Sequence, residues 1–459
     1  MSFSVFSSKP LQPASPEEQG RGWMARLQRL WAKDSLRQGL LSVFDQGIVS
    51  ATNFATSVII GRLCSQTEMG IYALGLSIVY FARAIQEQLV SAPYTIYCNR
   101  QPEEDKAAYA GSSCLHFSWF AGLVIVSLLG FAGVLATQGT APDLLRLSLV
   151  LVAALPLFLL REFIRHYTFS HLKMGTATIL DASVSAIQIG TLVLLGWAGW
   201  MTVPVVFAVI GGSCLLASLG WFLTKSDRFE VSHKTAVRHW KHNWGFARWA
   251  LACQLVGCSA PYVMPWFVAS LEGAAATGIL AASSTLVGLA NMFVMGVANF
   301  LSPRAAKAYA EEGVRGLKTV MVFTSLVFVV FLGVFAVAMC FLGGFVAVLV
   351  YGENYAEAGP VMAVLAFGLL ASGLSVTAGN GLWAIDRPDA NFRADLCALV
   401  ATIVFSALLI GPYGVVGAAL ATTLGAAVDG LIRGFILIHQ MQREATHADL
   451  HPARESTLS

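Results

Sequence analysis

Arg83 stands near the middle of an apolar run, with Glu87 four residues on. A charge at the centre of a spanning helix costs roughly 2.5–3.5 kcal/mol, so a paired or functional role is the default. At i, i+4 the two side chains can meet on one helix face, and Tyr80 and Tyr94 fall on that face. Two roles fit: a self-neutralised structural pair, or an anion-handling site in a cavity whose charge Glu87 partly offsets. Asp45 is the next candidate. At 100° per residue, Ser42, Asp45, Gln46, Thr52, Asn53, Thr56 and Ser57 share one arc of about 140°. Such a stripe faces water or other helices, not lipid. Asp45 lies about 10 Å inside its helix and can exchange a proton if desolvation raises its pKa; interhelical hydrogen bonding is the alternative. Asp45 and Glu87 are therefore the ion-coupling candidates. A milder stripe, Ser284, Gly288, Asn291, Met295 and Asn299, reads either as a facing cavity wall or as helix packing. Arg248 and Arg433 lie near helix ends and can snorkel; Arg248 is the second candidate cavity cation, while Arg433, one turn from Asp429, reads as a structural pair. Arg161, Glu162 and Arg165 read as boundary charges, and Asp181 and Asp395 as acids favoured at helix N-termini.

The elements that position these residues follow from composition. Of 459 residues, 56% are hydrophobic and only 12% charged, against about 25% charged in soluble domains. Mean hydropathy is +0.67. A soluble fold of this size would lack the polar residues to cover its surface, and disorder, collagen and disulfide scaffolds are excluded. A polytopic membrane protein remains. A net charge of +3 is too small to imply nucleic acid. The 8 cysteines form no Cys-x-x-Cys pair, and most lie in apolar runs as small hydrophobes.

Spanning a bilayer takes about 20 mostly apolar residues. Twelve segments qualify: 37–61, 70–95, 112–136, 143–168, 176–197, 202–224, 243–269, 276–301, 317–342, 357–383, 391–411 and 414–439. With the N-terminus inside, 24 of the 29 Lys and Arg fall in the termini and even connections, while the odd connections hold only Arg62 and Arg146. This asymmetry places both termini in the cytoplasm. The first 20 residues are polar, unlike a signal-peptide core. Over 21–37, Trp23, Met24, Leu27, Leu30 and Trp31 oppose Arg26, Arg29, Lys33 and Arg37, the pattern of an interfacial helix held by anionic lipid or of a partner-docking helix.

The chain repeats itself weakly. Shifted by 208, Met69-Gly70-Ile71-Tyr72-Ala73 overlies Thr277-Gly278-Ile279-Leu280-Ala281; shifted by 214, Asp181 overlies Asp395 and Gly211 overlies Gly425. Six helices per half is an even number, so the repeat is parallel, about an axis along the membrane normal. The expected organisation is a cytoplasmic N-terminal segment (1–35), an N-lobe (36–224), a basic linker (225–242), a C-lobe (243–440) and a cytoplasmic tail (441–459). Two lobes facing a central cavity suit alternating access. No P-loop, His-Glu-x-x-His or Gly-x-Ser-x-Gly motif occurs, and short loops leave no room for a catalytic domain. Neither an enzyme, a cofactor nor a metal is expected, and no filter-like sequence points to a channel.

Tyr351-Gly352-Glu353-Asn354-Tyr355-Ala356-Glu357-Ala358 resembles the Tyr-Gly-x-x-Tyr-x-x-Ala element of polysaccharide transporters. Gly411-Pro412-Tyr413-Gly414-Val415-Val416-Gly417-Ala418-Ala419-Leu420-Ala421-Thr422 resembles a turn of the same group, and Met69-Gly70-Ile71-Tyr72-Ala73 its Gly-x-Tyr element. The chain thus resembles the multidrug/oligosaccharidyl-lipid/polysaccharide (MOP) flippase superfamily, nearest to the bacterial O-antigen and exopolysaccharide flippases. Lipid II flippases are similar but usually have two more helices; multidrug exporters share the 12-helix layout, and some carry a coupling acid where Asp45 stands.

The resemblance implies an all-α, MATE-like integral membrane fold and a flippase of the bacterial inner membrane for an undecaprenyl-diphosphate-linked oligosaccharide. The sugar would cross between the lobes while the tail stays in membrane lipid. Arg83 and Arg248 would hold the diphosphate, since Arg suits bidentate contact. Asn53, Gln46, Asn291, Asn299 and Tyr80 would line the cavity, with Asp45 or Glu87 carrying protons. Glycosyltransferases and a polysaccharide polymerase would be partners. The rival reading is a cation-coupled drug antiporter, with Asp45 essential and Arg83 dispensable.

Overall fold

The structure, a computed structural model, describes residues 34–139, 141–224 and 229–450. The expected interfacial helix falls, up to residue 33, outside the described residues. Among those described, every regular element is helical. In chain order, α1 is Asp34–Leu63, α2 begins as Gln66–Gln86, α3 is Lys106–Gln138, α4 Pro142–Ser170, α5 Met174–Trp197 and α6 Val203–Thr224. Two long helical runs, His233–Gly288 and Asn291–Tyr351, hold three spans. The first bends at Gly273 and the second at Gly313, giving α7 (233–272), α8 (274–312, broken by a turn at 289–290) and α9 (314–351). Then come α10, Ala358–Ala384, and the run Pro388–Leu450, which bends at Gly414 into α11 (388–413) and α12 (415–450). The three bending glycines have φ of 88°, 61° and 56°, a region that costs any residue with a Cβ. With these bends the described residues form twelve long helices in two six-helix lobes, the N-lobe α1–α6 and the C-lobe α7–α12. The helix carrying the seventh span starts at His233, so the end of the linker is helical.

Local sequence explains the turns that matter most for the site. Ser65 caps α2 in a reciprocal box: its Oγ accepts from the Glu68 N–H and the Glu68 carboxylate accepts from the Ser65 N–H, each at 3.2 Å. Further along α2, Glu87–Ser91 forms a π turn before Ala92–Tyr97 resumes the α-helix. Pro93 brings no N–H to the ladder, and the N–H of Ala92 reaches back to the Glu87 carbonyl. The extra residue rotates the remainder of the helix about its axis. Tyr94 therefore leaves the Arg83 face and is buried against Tyr109 and Tyr167, in contrast to the single face expected from a regular helix.

The N-lobe core is built on α4, where Leu147, Leu151, Leu155 and Leu159 recur every four residues and are fully buried. The lobes meet at the odd connections. Tyr351 donates to or accepts from Ser57 at 2.9 Å, Arg62 Nε donates to the Val350 carbonyl at 2.7 Å, and Gln66 donates to the Asn354 carbonyl. Gly61 leaves room for the Tyr351 ring, which a Cβ there would approach to 2.2 Å. The repeat-related pair closes the same junction. A Cβ on Gly70 would meet the Ala274 carbonyl oxygen at 1.8 Å, and one on Gly278 the Gln66 carbonyl oxygen at 2.1 Å. The backbones of α2 and α8 therefore cross in direct contact, each using the glycine that the other half repeats.

Candidate functional site

Six charged side chains from four helices converge inside the N-lobe. Asp45 comes from α1, Arg83 from α2, Arg161, Glu162 and Arg165 from α4, and Asp181 from α5. Arg83 Nε lies 3.0 Å from Glu162 Oε2, and Arg161 also pairs with Glu162. Arg161 reaches Asp181 at 2.6 Å; Arg165 reaches Asp181 at 2.8 Å and Asp45 at 2.7 Å. Three cations thus face three acids, so the cluster is formally neutral. Removing charges from water without pairing would cost several kcal/mol each, and this closed set is how the lobe holds them. Side-chain exposure decides what the cluster presents. Arg83 retains 36%, whereas the other five have 8% or less. The one charge that reaches the surface is a cation.

This arrangement corrects several expectations. Arg83 pairs with Glu162, and no ion pair with Glu87 occurs among the described residues; the π turn begins at Glu87 and α4 supplies the nearer acid. Arg161, Glu162 and Arg165 are buried network members rather than boundary charges, and Asp181 lies buried two turns into α5 rather than at its N-terminus. The sequence did carry the signal: all four lie inside the assigned spans, as Asp45 does. Asp45 itself is fully buried and engaged by Arg165.

The α1 stripe divides. Thr52 donates to Ser185 at 2.7 Å and Gln188 donates to Thr56 at 2.9 Å, which ties α1 to α5. Gln46 and Asn53 stay exposed. Asn53, Tyr80 and Arg83 line a pocket with Arg161, Glu162 and Gln188; its volume is about 60 Å³, room for a few waters and no sugar.

In the C-lobe, Asn291 lines a shallow hollow of about 260 Å³ with Ser284, Ser372 and Thr423. Asn299 is exposed further along α8. Arg248 is also exposed, with its guanidinium 5.6 Å from the Trp249 ring; it joins neither the network nor these hollows. Beside the Asn291 hollow lies a larger cavity of about 470 Å³, lined by Pro261, Ser284, Thr402, Asp395 and Asp429. Arg433 bridges the two acids, at 2.5 Å to Asp395 and 3.1 Å to Asp429. The expected Asp429–Arg433 pair is present, and the repeat partners Asp181 and Asp395 each sit in an ion network of their lobe. The C-lobe set carries one net negative charge. Among the described residues no group of three His, Cys, Asp or Glu is placed to hold a metal.

Comparison with known proteins supports this architecture. No family profile matches the chain. It is 27% identical over 157 residues to the capsular polysaccharide biosynthesis protein CapF of Staphylococcus aureus, covering 34% of this chain and 39% of that one. It is 20% identical over 275 residues to the probable low-salt glycan biosynthesis flippase Agl15 of Haloferax volcanii, covering 58% and 56%. The chain thus spans roughly half the length of the curated relatives it matches, or less. Among solved structures, the lipid II flippase MurJ in an inward closed conformation superposes with a TM-score of 0.70 at 17% identity over 87% of both chains. An inward-facing MATE multidrug transporter gives 0.71 at 12% identity over 86% of this chain and 95% of that one.

Proposed function

We propose that this chain, a multi-pass membrane protein with the fold of the MOP superfamily, translocates a lipid-linked oligosaccharide carried on undecaprenyl diphosphate. It acts as a transporter and not as an enzyme. It sits in the bacterial inner membrane with both termini cytoplasmic, which the Lys and Arg asymmetry of the loops supports. Lipid-linked sugar is handed to it by glycosyltransferases and passed on to a polysaccharide polymerase. Both curated relatives carry names from glycan biosynthesis, and one is called a flippase.

One observation carries the reading: the N-lobe network seals three acids and turns a single cation, Arg83, to the surface. A diphosphate approaching from between the lobes meets a guanidinium whose counter-ions lie behind it. The N-lobe pocket is too small for sugar, so in this reading the headgroup occupies the interlobe space, with the exposed side chains of Gln46, Asn53, Asn291 and Asn299 as its proposed hydrogen-bond partners. Lobe rocking then opens the seal at the odd connections and delivers the headgroup to the other side. Asp45 serves as a proton carrier only if that motion breaks its pair with Arg165. Glu87, outside the network's ion pairs, is the freer of the two candidates.

A second reading, a cation-coupled multidrug antiporter, is favoured by the C-lobe cavity, where Asp395 and Asp429 share one arginine. Complementation of a deletion strain separates the two. Arg83→Ala, at wild-type abundance, is expected to abolish surface polysaccharide, with Arg83→Lys partly active. Full activity of Arg83→Ala, together with drug sensitivity in Asp429→Asn, would transfer the assignment to the antiporter.

A further inference from the structure

In the C-lobe, α9 and α12 both pack closely on α10 but scarcely on each other. Between them runs a furrow of about 850 Å³. Its walls are aliphatic: Val322, Leu326 and Val329 of α9 and Ile438 of α12 are about half exposed. Its depth comes from small residues. Thr377 and Ala378 form the floor, and Gly430 and Gly434 thin the α12 wall. A Cβ built at Gly434 meets nothing within 4 Å, so the space beside it is open.

One end of the furrow is charged. Arg315 and Lys318, one turn apart on α9, are exposed at its mouth, and no ion pair engages either among the described residues. The other end is apolar throughout. From Lys318 to Val329 the furrow runs about 16 Å at 1.5 Å per residue, close to half of a hydrocarbon core of about 30 Å. We infer that this furrow is a binding site for an anionic glycerophospholipid of the leaflet on the linker side, with its phosphate between Arg315 and Lys318 and an acyl chain against Gly434. Any lipid-facing groove fills with lipid; the two unpaired cations make this one select charge. The furrow's length favours an acyl chain one leaflet long over a polyprenyl chain, which would overrun it. The site is separate from the Arg83 network, and its occupancy does not depend on which substrate is transported.

Native mass spectrometry of the purified full-length protein, titrated with phosphatidylglycerol or phosphatidylcholine of the same acyl chains, tests this directly. Phosphatidylglycerol should bind about 30-fold more tightly, the effect of two cations on its net negative charge, which in phosphatidylcholine the choline ammonium cancels. Arg315→Gln with Lys318→Gln should bring the two lipids to parity. Gly434→Phe should displace both while the protein elutes as a single folded species. Equal binding of the two lipids by the wild type would overturn the proposal, as would unchanged selectivity in the double glutamine variant. Preferential retention of undecaprenyl phosphate over phosphatidylglycerol would reassign the furrow to a polyprenyl chain and equally defeat it.

Discussion

Charges inside the membrane span are legible one by one, but their partners are not. Arg83, Asp45 and Glu87 stand out because each interrupts an apolar run. That Arg83 answers to Glu162, and Asp45 to Arg165, depends on α4 lying against α1 and α2, which no local spacing encodes. The network makes a stability prediction. Asp181→Leu leaves Arg161 and Arg165 short of an acid in a sealed site, and removal of one member of a buried pair typically costs about 3–5 kcal/mol. Thermal unfolding of the purified variant should show a large loss, and Arg161→Met in the same chain should recover part of it. Additive losses from the two substitutions would mean that the residues act independently. A second prediction concerns His239, which lies on the linker part of α7, before the membrane span. Its Nδ1 lies 2.9 Å from Ser112 Oγ and its ring meets Tyr109 edge-on. Burial lowers its pKa below 6.5; Arg238 and His242 add to this, and Asp105 opposes it. Because the folded value is the lower one, the docking contribution is present above about pH 6.5 and is lost as pH falls below it. Hydrogen exchange over 233–242 should therefore quicken at pH 5.5 relative to pH 7.5, at about constant intrinsic rate after correction. Exchange that is equally slow at both would remove His239 from the contact.

At the scale of helices, the glycines carry the conformational argument. Gly70 and Gly278, aligned by the 208-residue shift, put α2 and α8 backbone to backbone. The Tyr351–Tyr355 motif packs beside them against Ser57, Gly61 and Gln66. Thus two of the motifs that carry the family resemblance form the interlobe seal. Gly70→Leu cannot keep that approach, because even its Cβ would fall 1.8 Å from a carbonyl oxygen. The variant should hold the lobes apart at the odd connections. Spin labels at the exposed positions Thr67 and Glu272 should report a longer distance in the variant than in the wild type. An unchanged distance would show that the crossing yields elsewhere. The π turn at Glu87–Ser91 is the element that pattern reading misses. A regular helix carries Tyr94 onto the Arg83 face, and Pro93 shows only in hindsight why it does not.

For the molecule as a whole, composition, twelve apolar spans and the even number of helices per half lead to the observed two-lobe fold. The long runs that bend at Gly273, Gly313 and Gly414 would count as fewer spans by helix continuity alone. The charge asymmetry between the lobes was not legible in this way. It arises because α4 brings two arginines to the N-lobe network, while in the C-lobe a single arginine on α12 serves two acids. The cationic edge of one lobe and the acidic cavity of the other are the features on which the two proposed readings divide. The most direct test is a clean deletion, scored for cell-surface polysaccharide and for lipid-linked repeat units held in the inner membrane. Loss of polymer with retained precursor is the predicted result; intact polymer, with no precursor accumulating, would contradict the assignment.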